Sequence, residues 1–324
     1  MHTKEGIMDT GKKKPLIGMI GMGWVGANVA RAIGERGYTV IAFDTDSRKP
    51  YAHNQRRIEA CDIVFVAVPT PTRLTDGGCD DSCVRDALQH VGSGKIAVVK
   101  STIPPGALDA LQQEHSDKFL FHSPEFLAKA SAAYDAVRPT RNVVGIPDGA
   151  TSAHRAKANE VLAVLPPAPV TVICSAREAS LIKYLSNYRL YTQVAWWNQS
   201  YDIAKEFGAN WETVRRGIAA DPRIGAAHSE VYADGGRGAG GDCFIKDIAA
   251  LRQFVTEPLG KNFDVYALIS AVEDYNIALL RASGKDLDKL VAVYGPEILT
   301  AAGQETELVT DPATVAASKT RVRL

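Results

Sequence analysis

The chain has 324 residues, 46% of them hydrophobic, which is enough for about two domains with a sizeable core. Its 37 basic residues balance 37 acidic ones, so it lacks the basic footprint expected for nucleic acid or an anionic membrane surface. No run is apolar and long enough to span a bilayer. Residues 1–14 are polar and include Lys12-Lys13-Lys14; they read as a mobile tail. The five cysteines form an odd set without a secretory pattern, which points to reduced thiols in the cytoplasm. Cys79 and Cys83 have no partner pair at metal-ligand spacing, so no metal site is expected.

The apolar run 16–20 predicts a first strand. Gly21-Met22-Gly23-Trp24-Val25-Gly26 follows at once, then a helix over 27–37 and a second strand over 38–43 closed by Asp44. Strand, Gly-x-Gly-x-x-Gly, helix, strand and acid in this order form a dinucleotide-binding pattern. Gly21 makes the tight turn, Gly23 lets a pyrophosphate approach the helix N-terminus, and Gly26 lets helix and strand pack closely. Asp44 is placed to bond the adenosine ribose and repel a 2′-phosphate, which favours NAD. Arg48 keeps NADP open as a second choice.

Further apolar runs recur at 63–68, 96–99, 119–121, 142–146 and 170–173, with helical segments between them. That alternation predicts an α/β fold with a Rossmann-type, mostly parallel sheet. Ligands bind at strand ends in such sheets. Three ends carry marked residues: Val68-Pro69-Thr70-Pro71, Lys100-Ser101-Thr102-Ile103-Pro104-Pro105-Gly106, and His122-Ser123-Pro124-Glu125-Phe126-Leu127. Thr102 and Glu125 are placed to face a substrate, although each such loop alone also reads as an ordinary turn or helix cap.

From residue 176 the pattern becomes helical, and 177–207 predicts one long helix without internal proline or glycine. Lys183 and Asn187, four apart, share a face that points either into a site or into solvent. Asp221-Pro222-Arg223-Ile224-Gly225 comes next. Five glycines then crowd the eight residues before Cys243, with Lys246 and Asp247 three and four positions after it. Glycines suit a backbone folded tightly round a ligand. A helix starting near Cys243, with a cation close by, favours the reactive thiolate. A flexible loop with an inert cysteine is the competing reading.

Together the glycine turn, Val68-Pro69-Thr70-Pro71, Ser101–Gly106, residues 123–127, Lys183 with Tyr184 and Asn187, Asp221–Gly225 and Gly240–Asp247 resemble the UDP-glucose/GDP-mannose dehydrogenase family. They occur in the family's order and span roughly residues 15–280. The resemblance implies an NAD-dependent, four-electron oxidation of a nucleotide-sugar alcohol to a carboxylate, using two NAD. It implies Cys243 as nucleophile, with Lys183, Asn187, Asp247, Thr102 and Glu125 around it. It implies cofactor contacts from Gly21, Gly23, Trp24, Val25, Gly26, Asp44, Val68, Pro69, Thr70, Ser101, Thr102 and Lys246. Substrate contacts fall to Phe126, Leu127, Lys129, Lys183, Asn187, Arg223 and Gly240. A homodimer built on the long helix is also implied, with Arg223 entering the neighbouring site.

The sequence departs from the family in three places. Lys129 stands where a glutamate is usual, and Phe244-Ile245-Lys246-Asp247 replaces Phe-Pro-Lys-Asp. After Leu280 there are 44 residues and no second nucleotide-binding motif. The expected organisation is therefore a tail at 1–14, an NAD-binding domain at 15–175, a helical dimerisation and catalytic domain at 176–285, and a remnant at 286–324. The member reads as C-terminally shortened, its UDP-binding domain largely absent, so the substrate ranges from a UDP-glucose-like nucleotide sugar to a smaller sugar or nucleoside derivative. Two rivals stand: a two-electron alcohol dehydrogenase of β-hydroxyacid type, and a nucleotide-binding paralogue without turnover.

Overall fold

The computed structural model describes residues 13–260 and 264–300. The expected tail at 1–14 lies outside the described residues except for Lys13 and Lys14. The expected remnant does so beyond residue 300.

β1 (Ile17–Ile20) turns through glycine into α1 (Trp24–Glu35) and β2 (Val40–Phe43). α2 (Gln55–Glu59) leads to β3 (Ile63–Val66), α3 (Ser82–Gln89) to β4 (Ile96–Val99), and α4 (Ala107–Glu114) to β5 (Phe119–His122). α5 (Ala132–Val137), β6 (Arg141–Ile146), α6 (Ser152–Val164) and β7 (Val170–Ser175) complete the first half. The seven strands form one sheet in the order β2-β1-β3-β4-β5-β6-β7. All neighbours are parallel except β5 and β6, which meet antiparallel at His122 and Gly145. The mostly parallel sheet predicted from the apolar runs is the observed one.

Both faces of this sheet are covered, which is why β1, β3 and β4 are apolar at every position. Ile58, Val84, Leu88, Leu108 and Leu111 pack from α2, α3 and α4 on one face. Val29, Ile33, Ala158, Val161 and Val164 pack from α1 and α6 on the other. The C-terminal ends of β1, β3, β4 and β5 consequently share one edge, and the marked loops of the sequence all open there.

α7 (Ala176–Glu206) starts on a reciprocal cap. The Glu178 N–H donates to Ser175 Oγ at 3.2 Å, and the Ser175 N–H donates to the Glu178 carboxylate at 2.7 Å. It stops at Gly208, whose φ of 64° leaves the helix. α8 (Trp211–Ala219), a short hairpin of β8 (Tyr232–Ala233) and β9 (Gly236–Arg237), α9 (Gly241–Leu259), α10 (Asp264–Ser283) and α11 (Leu287–Tyr294) follow. Tyr184, Tyr191, Ile248, Leu251 and Ile269 form the core joining α7, α9 and α10. No helix among the described residues is long and apolar enough to cross a membrane.

His122, at the end of β5, is fully buried, with Ser180 of α7 3.1 Å from its Nδ1. Burial depresses its pKa from 6.5 to about 3. Below pH 6.5 the unfolded chain binds a proton that the folded ring refuses until about pH 3. Stability is therefore expected to fall as pH drops through that window, by up to about 1.4 kcal/mol per pH unit from this ring. Urea midpoints measured from pH 7 to pH 4 should drop less steeply in His122→Gln than in the wild type.

Candidate active site

The glycine turn fits a dinucleotide. Gly21 has φ of 86°, and a Cβ there would lie 2.3 Å from the Ala67 carbonyl oxygen. A Cβ on Gly26 would lie 1.8 Å from the Gly21 carbonyl oxygen, so α1 reaches the turn only through glycine. A Cβ on Gly23 would meet no protein atom, so packing does not demand glycine there, whereas close approach of a ligand to the α1 N-terminus does. Trp24 and Val25 open α1 beside it. Asp44 ends β2 and accepts from the Met22 N–H at 2.7 Å, which fixes the acid against the turn.

Asp44 pairs with Lys49 and not with Arg48. Arg48 folds onto Asp46, and Lys49 donates to Asp44 at 2.7 Å. Burial opposes the Asp44 carboxylate, but Lys49 and the Asp46 and Met22 N–H groups together hold its pKa below the usual value. Arg48 is thus removed from the acid, and Lys49, which no local signal marks, is the neighbouring cation. At the ends of β3 and β4, Ser101 Oγ donates to the Val68 carbonyl at 2.7 Å and accepts from the Val68 N–H at 3.0 Å. Pro69 follows this link, and Thr70 and Thr102 beyond it are buried.

A second group of residues sits where the loop after β5 meets α7 and α9. Lys183, 4% exposed, donates to both the carboxylate and the carbonyl of Glu125 at 2.8 Å. The other Glu125 oxygen accepts from the Leu127 N–H at 2.7 Å, which shapes the loop carrying Phe126. One turn along α7, Asn187 donates to Asp247 at 2.6 Å. Lys246 donates to the other Asp247 oxygen at 2.5 Å. The shared face of Lys183 and Asn187 therefore points inward, and the solvated-face reading is set aside.

Cys243 is the third residue of α9, one turn before Asp247, so thiol and carboxylate lie on the same helix face. The side chain is exposed. Surrounding atoms nevertheless desolvate the thiol, and this together with Asp247 raises its pKa above the ordinary value. Lys183 pulls the other way and is outweighed. Desolvation first, and Asp247 one turn away second, thus weigh against the thiolate expected at this helix N-terminus.

The glycine loop is held from the protein side. A Cβ on Gly240 would lie 2.0 Å from an Asp286 carboxylate oxygen, and one on Gly238 would lie 3.0 Å from Asn276 Oδ1. Asn276 bonds both the N–H and the carbonyl of Ala239, Lys285 donates to the Ala233 and Gly238 carbonyls, and Asp286 accepts from the Gly241 N–H. The glycines let this loop dock on α10 and α11, which fixes where α9 and Cys243 begin. It is a pinned loop rather than a flexible one.

Two predicted substrate contacts lie apart from this cluster. Lys129 is exposed and makes no hydrogen bond among the described residues. Arg223 is exposed, and its hydrogen bonds all go to Asp221, the shortest at 2.6 Å. Lys100, which opens the motif at the end of β4, is not singled out by any signal in the sequence. It is buried behind Glu125, and its ammonium donates to Ser123 Oγ and the Pro124 carbonyl at 3.3 Å.

Residues 51–163 match the NAD binding domain of the UDP-glucose/GDP-mannose dehydrogenase family, and residues 177–278 match its central domain. The chain belongs to this family. The first match begins after β1, α1 and Asp44. The chain is 31% identical over 277 residues to UDP-glucose 6-dehydrogenase of Rhizobium meliloti (strain 1021), covering 72% of this chain and 62% of that protein. A UDP-glucose dehydrogenase structure from Pyrobaculum islandicum superposes with a TM-score of 0.71 at 26% identity, covering 86% of this chain and 72% of that one. Mycobacterium tuberculosis 3-hydroxyisobutyrate dehydrogenase shares the fold, with a TM-score of 0.61 at 16% identity, over 87% of this chain and 99% of that one. The chain thus spans about three-fifths of the curated relative's length, and its family is one whose members use NAD.

Proposed function

We propose that the chain is an NAD-dependent dehydrogenase that oxidises the primary alcohol of a nucleotide sugar, UDP-glucose-like or smaller, to a carboxylate through Cys243. Residues 15–175 form the NAD-binding domain and residues 176–285 the helical catalytic domain. The observation that carries this reading is the convergence of Lys183–Glu125 and Asn187–Asp247–Lys246 on the helix face that bears Cys243. The fold alone does not separate it from a two-electron dehydrogenase, because a 3-hydroxyisobutyrate dehydrogenase has the same fold. The thiol does.

Bound at the α1 turn, NAD supplies the hydride acceptor for each oxidation. The turn, Asp44 and the Ser101–Val68 link hold the cofactor edge of the site. Lys183 and Asn187 stabilise the alkoxide and later oxyanion charge on the reacting carbon's oxygen. The Cys243 sulfur bonds the aldehyde carbon and gives up its proton, forming a thiohemiacetal; a second oxidation leaves a thioester. Water, positioned by Thr102, Glu125 or Asp247, cleaves the thioester and returns the thiol. The sum is one alcohol, two NAD and one water giving one carboxylic acid, two NADH and two protons. The direct test is NADH formation by the purified chain against UDP-glucose, other nucleotide sugars and the free sugars. Saturable NAD binding with no turnover across that panel favours the inactive-paralogue reading instead.

Lys129 is proposed to bind an anionic group of the substrate. Its exposure leaves it free to reach a ligand and equally free to stay in solvent. Lys129→Ala is expected to raise KM by about tenfold with kcat nearly unchanged. Equal KM values in the two proteins end this role.

The homodimer is supported by an apolar groove along α7. Leu181, Leu185 and Leu190 are exposed there, Leu185 at 51%, beside Ile182 and Val172. A row of exposed leucines on one helix suits a second copy of the same face. Arg223, engaged only by Asp221 within one chain, is proposed to enter the partner's site. Light scattering should give twice the chain mass. Mixing equal amounts of inactive Cys243→Ser and inactive Arg223→Ala chains should restore about a quarter of wild-type activity, through the one intact site of each hybrid dimer. A monomer, or no restoration, contradicts it.

A further inference from the structure

A cavity of about 150 Å³ lies behind the loop that carries Glu125, bounded by α1, the α5–β6 connection and the start of β6. Glu125, Phe126 and Leu127 also line it, so it adjoins the candidate active site. Three cations line it, Lys100, Arg138 and Arg141, with two carboxylates, Glu125 and Asp135. Both carboxylates are already engaged. Glu125 is held by Lys183 and the Leu127 N–H, and Asp135 accepts from the Ala128 N–H and Ser131 Oγ. Arg138 lies over the Tyr134 ring.

The remaining two cations are short of partners. The Lys100 ammonium has three N–H groups and two long hydrogen bonds, and it is 7% exposed. Arg141 stacks its guanidinium 3.8 Å from the Phe126 ring centroid and donates to Ser186 Oγ at 3.4 Å. Its Nε is buried without a hydrogen-bond partner. Among the described residues neither cation has a carboxylate at salt-bridge distance. Burial weighs on both: it lowers the pKa of Arg141 and brings that of Lys100 down to about 8. For Lys100 an unpaired buried cation is strongly unfavourable, and in the half-buried Arg141 the buried Nε without an acceptor calls for an explanation. Water satisfies donors but neutralises no charge.

We propose that this cavity is a binding site for a small oxyanion, of phosphate or carboxylate type, held by Arg141 and Lys100. The planar guanidinium fork matches two oxygens of such a group, and the ammonium adds a point charge. The volume is ample for one such group. Phe126 stands between this site and Lys183, whose ammonium is 5.7 Å from the same ring. The site goes beyond the proposed reaction and does not depend on it.

Isothermal titration of the full-length chain with inorganic phosphate, and separately with acetate, tests it at constant ionic strength set with sodium chloride. Saturable binding of one anion per chain is expected. Arg141→Met and Lys100→Met should each weaken it about tenfold or more. Binding of phosphate alone assigns the site to phosphate groups; binding of both assigns it to oxyanions generally. NAD affinity, measured on the same samples, should stay within about twofold, which checks the fold and keeps this test separate from the dehydrogenase reading. If one variant fails that check, the other carries the comparison. No saturable binding of either anion overturns the proposal, as does equal binding in folded variants.

Discussion

Cys243→Ser is expected to lower carboxylate formation by about 10³-fold or more while leaving the first oxidation measurable. The hydroxyl is a much weaker nucleophile towards the aldehyde, so the second oxidation loses its covalent intermediate. Product analysis should find aldehyde or its hydrate. Because Cys243 is exposed, the substitution should change stability by no more than about 0.5 kcal/mol. The same thiol gives a pH signature. Desolvation and Asp247 raise its pKa above the ordinary 9.0, so iodoacetamide alkylation of the free chain should have its midpoint above pH 9. A midpoint below pH 8 would show an activated thiolate and contradict the described geometry.

Asp247→Asn is expected to give the second large loss, about 10²- to 10³-fold in kcat. Asp247 is 1% exposed, and its two oxygens bind Asn187 of α7 and Lys246 of α9. It thereby fixes the Asn187 amide and stands one turn from the thiol. The substitution also leaves Lys246 without its carboxylate, so stability should fall by about 3 kcal/mol. Its effect on Cys243 has the opposite sign, since loss of the negative charge lowers the thiol pKa. Faster alkylation at pH 8 combined with slower turnover is therefore the diagnostic pair. Turnover that rises along with alkylation would show that Asp247 only suppresses the thiol and takes no part in the reaction.

What the sequence disclosed follows from how local each signal is. Gly21, Gly26 and Asp44 lie within one strand–helix–strand unit, and their spacing is set by backbone sterics that sequence records directly. The seven apolar runs were equally plain, since a sheet covered on both faces needs nearly continuous hydrophobic strands. Lys183 and Asn187 were visible as a helical pair, but the inward direction of that face depends on Glu125 and Asp247, about sixty residues away on either side. What holds the glycine loop was hidden for the same reason. Asn276, Lys285 and Asp286 hold it from α10, α11 and the link between them, and nothing near Gly238 announces them. The thiol's direction was hidden because helix N-terminus and cation were read from spacing, whereas desolvation appears only once the chain is folded. Lys49 took the place considered for Arg48 through the geometry of a turn just after β2.

The central claim is that one site performs two oxidations on Cys243. It is tested most directly by counting NADH and product from a limiting, fully consumed nucleotide-sugar substrate. Two NADH and one carboxylate per substrate are expected, with no free aldehyde accumulating. One NADH with released aldehyde or ketone, unchanged in Cys243→Ser, would contradict the account and leave a two-electron dehydrogenase built on Lys183 and Asn187.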